Sequence, residues 1–308
     1  MAKKLIDRLS VDESNHEYLL KHYQEGSRFK LFSNVFFGKM GVMSKTNWLM
    51  LLFCLPAFAV IFYTAYRAFD YSVYTPFSSN FGLGYPVVNN AEEIYSELIY
   101  YNNMFRALLL IPCIVVGCIG LAGAFNVVKY ESLGFSVKLG KTFFKGVKNN
   151  MITYMWLGFV NGLVFFVFEY ALNFFGNPSL ALAIKIVAIV LLAILMAFVA
   201  VISLFVMTQA ALYDLPLAKM IKNAFWFTIS FFLQNLIIFI LSLVPVVLLM
   251  IMGSSYFLQL IVIMVCAMLG FSYIVCVWTI YTHYVYGLVF TACIEKDKPQ
   301  KKNKRRAK

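Results

Sequence analysis

Five polar side chains interrupt long apolar runs in this sequence: Asn161, Gln234, Asn235, Glu169 and Lys185. Hydrocarbon offers no water to a polar group, so each of these must find a partner. Asn161, Gln234 and Asn235 fall near the middle of their runs. They could hold a polar solute between helices, or they could hydrogen-bond one helix to another, which is the favoured reading. Glu169 and Lys185 flank the turn Gly176-Asn177-Pro178-Ser179 at similar depth, seven residues before and nine after Gly176. They could form a proton- or ion-coupled site. A structural ion pair near the helix ends is favoured over it.

Other chemistry finds little support. The three histidines, His16, His22 and His283, fit no metal-ligand spacing. No phosphate-binding, dinucleotide, nucleophile-elbow or zincin motif occurs. No acid pair or nucleophile–base set is recognisable, so an enzyme is not expected, nor a cofactor or metal. The six cysteines (54, 113, 118, 266, 276 and 293) lie in or at the edge of apolar runs and read as small apolar side chains, not a disulfide framework.

The elements that must position these residues are six apolar runs, beginning near Trp48, Phe105, Met151, Ala181, Ala224 and Tyr256. Each exceeds the roughly 20 helical residues that cross a hydrocarbon core of about 30 Å. With 62% hydrophobic and 13% charged residues, the chain is far more apolar than a soluble domain. The expected crossings are 48–68, 104–128, 151–175, 181–212, 224–252 and a final run over 256–290. That last run is longer than one bilayer and should emerge into the cytoplasm. The expected fold is an all-α membrane protein of six transmembrane helices in three hairpins, with cytoplasmic amphipathic segments. Residues 1–27 read as a flexible cytoplasmic N-terminus, 28–293 as the membrane domain and 294–308 as a basic, disordered tail.

Charge sets the orientation. Of the 26 Lys and Arg residues, 23 lie in the segments 1–47, 129–150, 213–223 and 294–308, and none lies in 69–103. Basic segments stay cytoplasmic, so both termini are expected inside and the loop 69–103 outside. The net charge of +12 thus reports topology, and a nucleic-acid partner is not expected. The outside loop holds nine Phe or Tyr residues. They could form a lid over a solute, but an ordinary aromatic belt is favoured. Within it, the Asn90–Glu93 spacing predicts a short helix over 91–101.

Small residues should bring helices together. Gly117, Gly120 and Gly123 on the second crossing and the Gly158–Gly162 pair on the third allow close backbone approach, and Gly120 is expected to face Gly158. Phe29, Phe32, Phe36, Met40 and Met43 recur at helical spacing with basic residues between them. They predict an amphipathic helix over 28–43, packed beneath the bundle against the aromatic end of the last helix. Lys138, Lys141, Lys145 and Lys148 form one stripe on a short helix, attractive to anionic lipid headgroups and equally demanded by the inside rule. The odd crossings each follow a Lys/Asn-rich entry, and the spacing Asn149–Asn161 repeats as Asn223–Asn235, which three related hairpins or chance would both produce.

The segments Gly38-Lys39 through Asn47-Trp48-Leu49, Gly120-Leu121-Ala122-Gly123-Ala124, and Leu212-Tyr213-Asp214-Leu215-Pro216-Leu217 with Lys222-Asn223-Ala224 resemble the YesL-type family of bacterial membrane proteins. The likeness covers about residues 28–250. The long outside loop and the extended last helix depart from it. The resemblance implies no catalytic residues. It implies an accessory role near carbohydrate uptake, with the bilayer and a membrane protein such as a transporter as partners. The function expected is therefore a non-enzymatic accessory or regulatory component. A small-solute permease and a membrane-embedded enzyme are the alternatives.

Overall fold

The computed structural model describes residues 28–73, 90–175, 181–213, 215–251 and 256–306. The expected flexible N-terminus, most of the outside loop and the turn at 176–179 lie outside these residues. Helices α1 (Arg28–Phe36), α2 (Met40–Val73), α3 (Ala91–Ser132), α4 (Leu139–Phe175) and α5 (Leu182–Leu212) are followed by three short ones. These are α6 (Leu217–Ser230), α7 (Phe232–Ser242) and α8 (Val244–Ile251), and α9 (Tyr256–Arg306) ends the series. Five helices are long and apolar enough to cross a membrane, and six spans result if the bent α6–α7 pair counts as one. This is an all-helical, multi-pass membrane protein.

Several boundaries differ from the sequence reading. The amphipathic segment is not one helix over 28–43 but breaks at Phe37–Lys39. A Cβ on Gly38 would collide with the carbonyl oxygen of Asn34, so only glycine lets the chain turn so closely there. The short helix expected over 91–101 begins where predicted, after Asn90 at φ 73°. It does not stop, however, but runs on as α3 for 42 residues. The lysine-bearing helix likewise continues into the third crossing as α4. Helical backbone satisfies its own hydrogen bonds across an interface, so nothing obliges a helix to end where lipid does. The basic tail, expected to be disordered, continues α9 in helical backbone as far as Arg306.

Helix α3 does stop, and for a visible reason. Gly134 has φ +76°. Its amide donates to Glu131 O (3.0 Å), and the amide of Phe135 donates to Tyr130 O (3.1 Å). This is the paired closure that glycine in the left-handed region gives a helix C-terminus.

The chain divides into two compact units. The first contains residues up to Leu51, Gly120–Thr153 and Val201 onward, and the second contains Leu52–Ile119 and Tyr154–Ala200. In the second unit, α4 packs on α3 through glycine. A Cβ on Gly158 would stand 2.7 Å from Val115 Cα and 3.1 Å from Cys118 Cβ, and one on Gly162 would stand 3.1 Å from Ile111 Cα. The two helices do approach closely through glycine, but Gly158 meets Ile114, Val115 and Cys118 and not Gly120 as expected. Gly117 has more room, with Cys54 Sγ at 4.0 Å.

In the first unit the same two helices stay close. Gly123 faces the Phe143 ring, where a Cβ would meet carbons at 2.7 Å, and one on Gly146 would meet Ala122 O at 2.7 Å. Gly158 and Gly162 are four residues apart on α4, and Gly146 lies twelve residues before Gly158. Helix α1 lies against α9, though its phenylalanines meet Tyr273, ahead of the expected aromatic end. Phe32 and Phe36 meet Tyr273 edge-on at 6.0 and 5.7 Å between ring centres. The Arg28 guanidinium covers the Tyr284 ring at 3.0 Å, a cation–π arrangement.

Candidate functional site

The run over 224–252, expected to be one continuous crossing, is broken. Helices α6 and α7 meet at 99° across Phe231, and a further interruption at Leu243 precedes Pro245. A bend this sharp leaves the last carbonyls of α6 without their helical donors, and Asn235 supplies one. Its Nδ2 donates to Phe227 O at 3.0 Å and to Thr228 O at 3.1 Å, and its Oδ1 accepts from the Tyr281 hydroxyl at 2.6 Å. Asn235 is 2% exposed. One amide thus caps α6, holds the bend and fastens it to α9. Gln234, beside it, is exposed.

A second buried polar group occupies the same unit. The Tyr286 hydroxyl donates to Gln209 Oε1 at 2.6 Å, and Asn223 Nδ2 reaches the same hydroxyl at 3.4 Å. Tyr213 Oη and His283 Nδ1 stand 3.5 Å apart, and the Tyr213 and Tyr286 rings lie 4.3 Å apart. Lys129 Nζ donates to Ala211 O at 2.9 Å, near the C-terminal end of α5, where a cation opposes the helix dipole. Asn47 is fully buried. It donates to Ala267 O at 2.7 Å and accepts from the Ser272 amide at 3.0 Å. The Ser272 hydroxyl in turn donates to Met43 O at 2.7 Å. These bonds tie α2 to α9 through backbone groups. Amides and phenols dominate the set, and among the described residues no three His, Cys, Asp or Glu side chains converge.

The second unit holds the ion pair, but with a different cation. Glu169 Oε2 lies 3.3 Å from Arg106 Nη2, so the expected partner Lys185 is replaced by an arginine on α3. The fork of Arg106 matches a carboxylate better than an ammonium does. Asn161 donates to Leu157 O on its own helix at 2.7 Å.

Beside this ion pair lies a cavity of about 450 Å³ lined by Arg67, Tyr101, Asn102, Phe105, Leu108 and Phe166, with Met104. Arg67 hydrogen-bonds the Tyr71 hydroxyl. Its guanidinium stands 5.4 Å from the Tyr71 ring centre, 5.9 Å from that of Phe105 and 6.0 Å from that of Tyr63. Asn102 donates to Thr64 O at 2.9 Å, and its carbonyl oxygen is buried with no hydrogen-bond partner among the described residues. A smaller cavity of about 170 Å³ is wholly apolar, lined by residues such as Leu163, Phe168 and Met196. Neither Asn102 nor Arg67 stands out in the sequence pattern. The adjacent aromatic loop was the available signal.

Lys138, Lys141, Lys145 and Lys148 are all exposed. The last three share the first turns of α4 with exposed Phe144, Met151 and Ile152, a basic band beside an apolar one. No family model, no curated protein and no solved structure matches this chain.

Proposed function

We propose that this chain is a non-catalytic membrane protein that serves as an accessory or regulatory component of a solute-uptake system. The carrying observation is that Asn235, an amide expected near mid-membrane, uses both its donor and its acceptor on α6 and α9. A permease needs polar groups available along a path. Neither of the two cavities described above includes Asn161 or Asn235. The resemblance to the YesL-type family supports carbohydrate as the class of solute and a bacterial cell membrane as the location. The distribution of Lys and Arg supports six crossings in three hairpins with both termini cytoplasmic, the α6–α8 segment forming a broken fifth crossing. The exposed lysine band supports anionic lipid as a neighbour.

Mild-detergent extraction of native membranes after short-range crosslinking tests the reading. The expected result is a covalent adduct with a membrane subunit of a solute transporter, and a fall in uptake of that transporter's substrate when this protein is removed. Unaltered uptake in its absence, with no transporter adduct, would refute the proposal.

A further inference from the structure

We propose that the Arg67 cavity binds the headgroup of an anionic membrane phospholipid. The inference is independent of the accessory role. The cavity volume, about 450 Å³, falls within the range of small-ligand sites and suits a phosphate headgroup with its first few carbons. Among the described residues, Arg67 is its one charged lining residue. Among the described residues the ion pair is Arg106–Glu169, so contact with a carboxylate does not neutralise Arg67. A guanidinium in an aromatic setting, with Asp70 one turn on along α2 but no ion pair to it among the described residues, selects a ligand with net negative charge, and its planar fork fits phosphate oxygens.

The remaining walls decide between a lipid and a soluble phosphate. Phe105, Leu108 and Phe166 are apolar, and Phe105 and Leu108 are 40% and 54% exposed. A soluble anion would gain nothing from those surfaces, whereas the glycerol and acyl carbons of a lipid would. Arg67 lies within the last two turns of α2, amid Tyr63, Tyr66 and Tyr71. Tyrosine and long cationic side chains collect at headgroup level for physical reasons. Asn102, 3% exposed, stands in the same wall, with its carbonyl oxygen buried and without a hydrogen-bond partner among the described residues.

Native mass spectrometry of the full chain in detergent, titrated with phosphatidylglycerol, phosphatidylcholine and glycerol 3-phosphate, tests this. Phosphatidylglycerol should be retained most tightly. Loss of a charge-assisted hydrogen bond (Arg67→Gln) should weaken it about tenfold or more, and Arg67→Lys should fall between. Leu108→Trp, which fills the cavity without touching its charge, should also weaken it, and carries the test if Arg67→Gln does not fold. Replacing all four band lysines by Gln should leave this tightest site intact. Equal retention of phosphatidylglycerol by Arg67→Gln and the parent would overturn the site. Phosphatidylcholine retained as tightly would overturn the charge argument. Glycerol 3-phosphate binding as tightly would overturn the lipid assignment in favour of a soluble anion.

Discussion

Replacing Asn235 by Leu removes three hydrogen bonds at once, but their loss does not weigh equally. Phe227 O keeps the amide of Phe231 at 3.1 Å, so it stays satisfied. Thr228 O loses its side-chain donor, and the Tyr281 hydroxyl loses its acceptor. A buried polar group left unmade costs about 1–3 kcal/mol. Hydrogen bonds between membrane helices average nearer ~0.6 kcal/mol, because the unfolded chain in lipid also finds partners. The break at Phe231 favours the larger figure for Thr228 O, since a rearranged chain must re-form or abandon the 99° bend. Together these give about 2–4 kcal/mol of destabilisation. Tyr281→Phe removes only one bond and should cost about 1 kcal/mol. In a double-mutant cycle the two changes should couple by about 1 kcal/mol, as expected for residues in contact. Reversible unfolding in mixed detergent micelles, followed by circular dichroism, measures all three. Unchanged stability in Asn235→Leu, or strict additivity with Tyr281→Phe, would refute the assignment of Asn235 as the clasp of the bend.

Further outcomes follow from the packing. Gly158→Leu should destabilise strongly, by about 3 kcal/mol or more, because a Cβ alone would stand 2.7 Å from Val115 Cα. Gly140→Ala, where nothing lies within 4 Å, should be neutral or stabilising by up to about 1 kcal/mol; thermal unfolding in detergent compares the two. Cysteines at Phe36 and Tyr273 should crosslink readily, since their rings are 5.7 Å apart, and failure at this pair and at Phe32–Tyr273 would detach α1 from α9. A cysteine at Ser78 should react with an impermeant maleimide in intact cells, whereas labelling only after lysis would invert the proposed topology.

The sequence conveyed the apolar spans well, because length and composition alone decide whether a helix can cross lipid. The packing of Phe32 and Phe36 against α9 was also legible, as was the close approach at Gly158 and Gly162. Both arise from local spacing that only one helical face can satisfy. Contacts that depend on which of two equivalent partners wins were not legible. Glu169 could have taken Lys185 or Arg106, and depth did not separate them. The bend at Phe231 left no proline or glycine as a marker. Its signal was Asn235, four residues beyond Phe231, whose amide was read as a link between helices when it also closes a helix end. The continuity of α3, α4 and α9 is not legible either, because a change from apolar to charged residues marks the bilayer surface and not the end of a helix.

The central claim is that the buried amides hold helices together and do not line a path for solute. Solute counterflow into proteoliposomes containing the purified chain, with a panel of labelled sugars, tests it most directly. The account predicts uptake no greater than in empty liposomes, for the parent and for Tyr281→Phe alike. Saturable flux that falls in Asn235→Leu, under conditions where the variant remains folded, would contradict it.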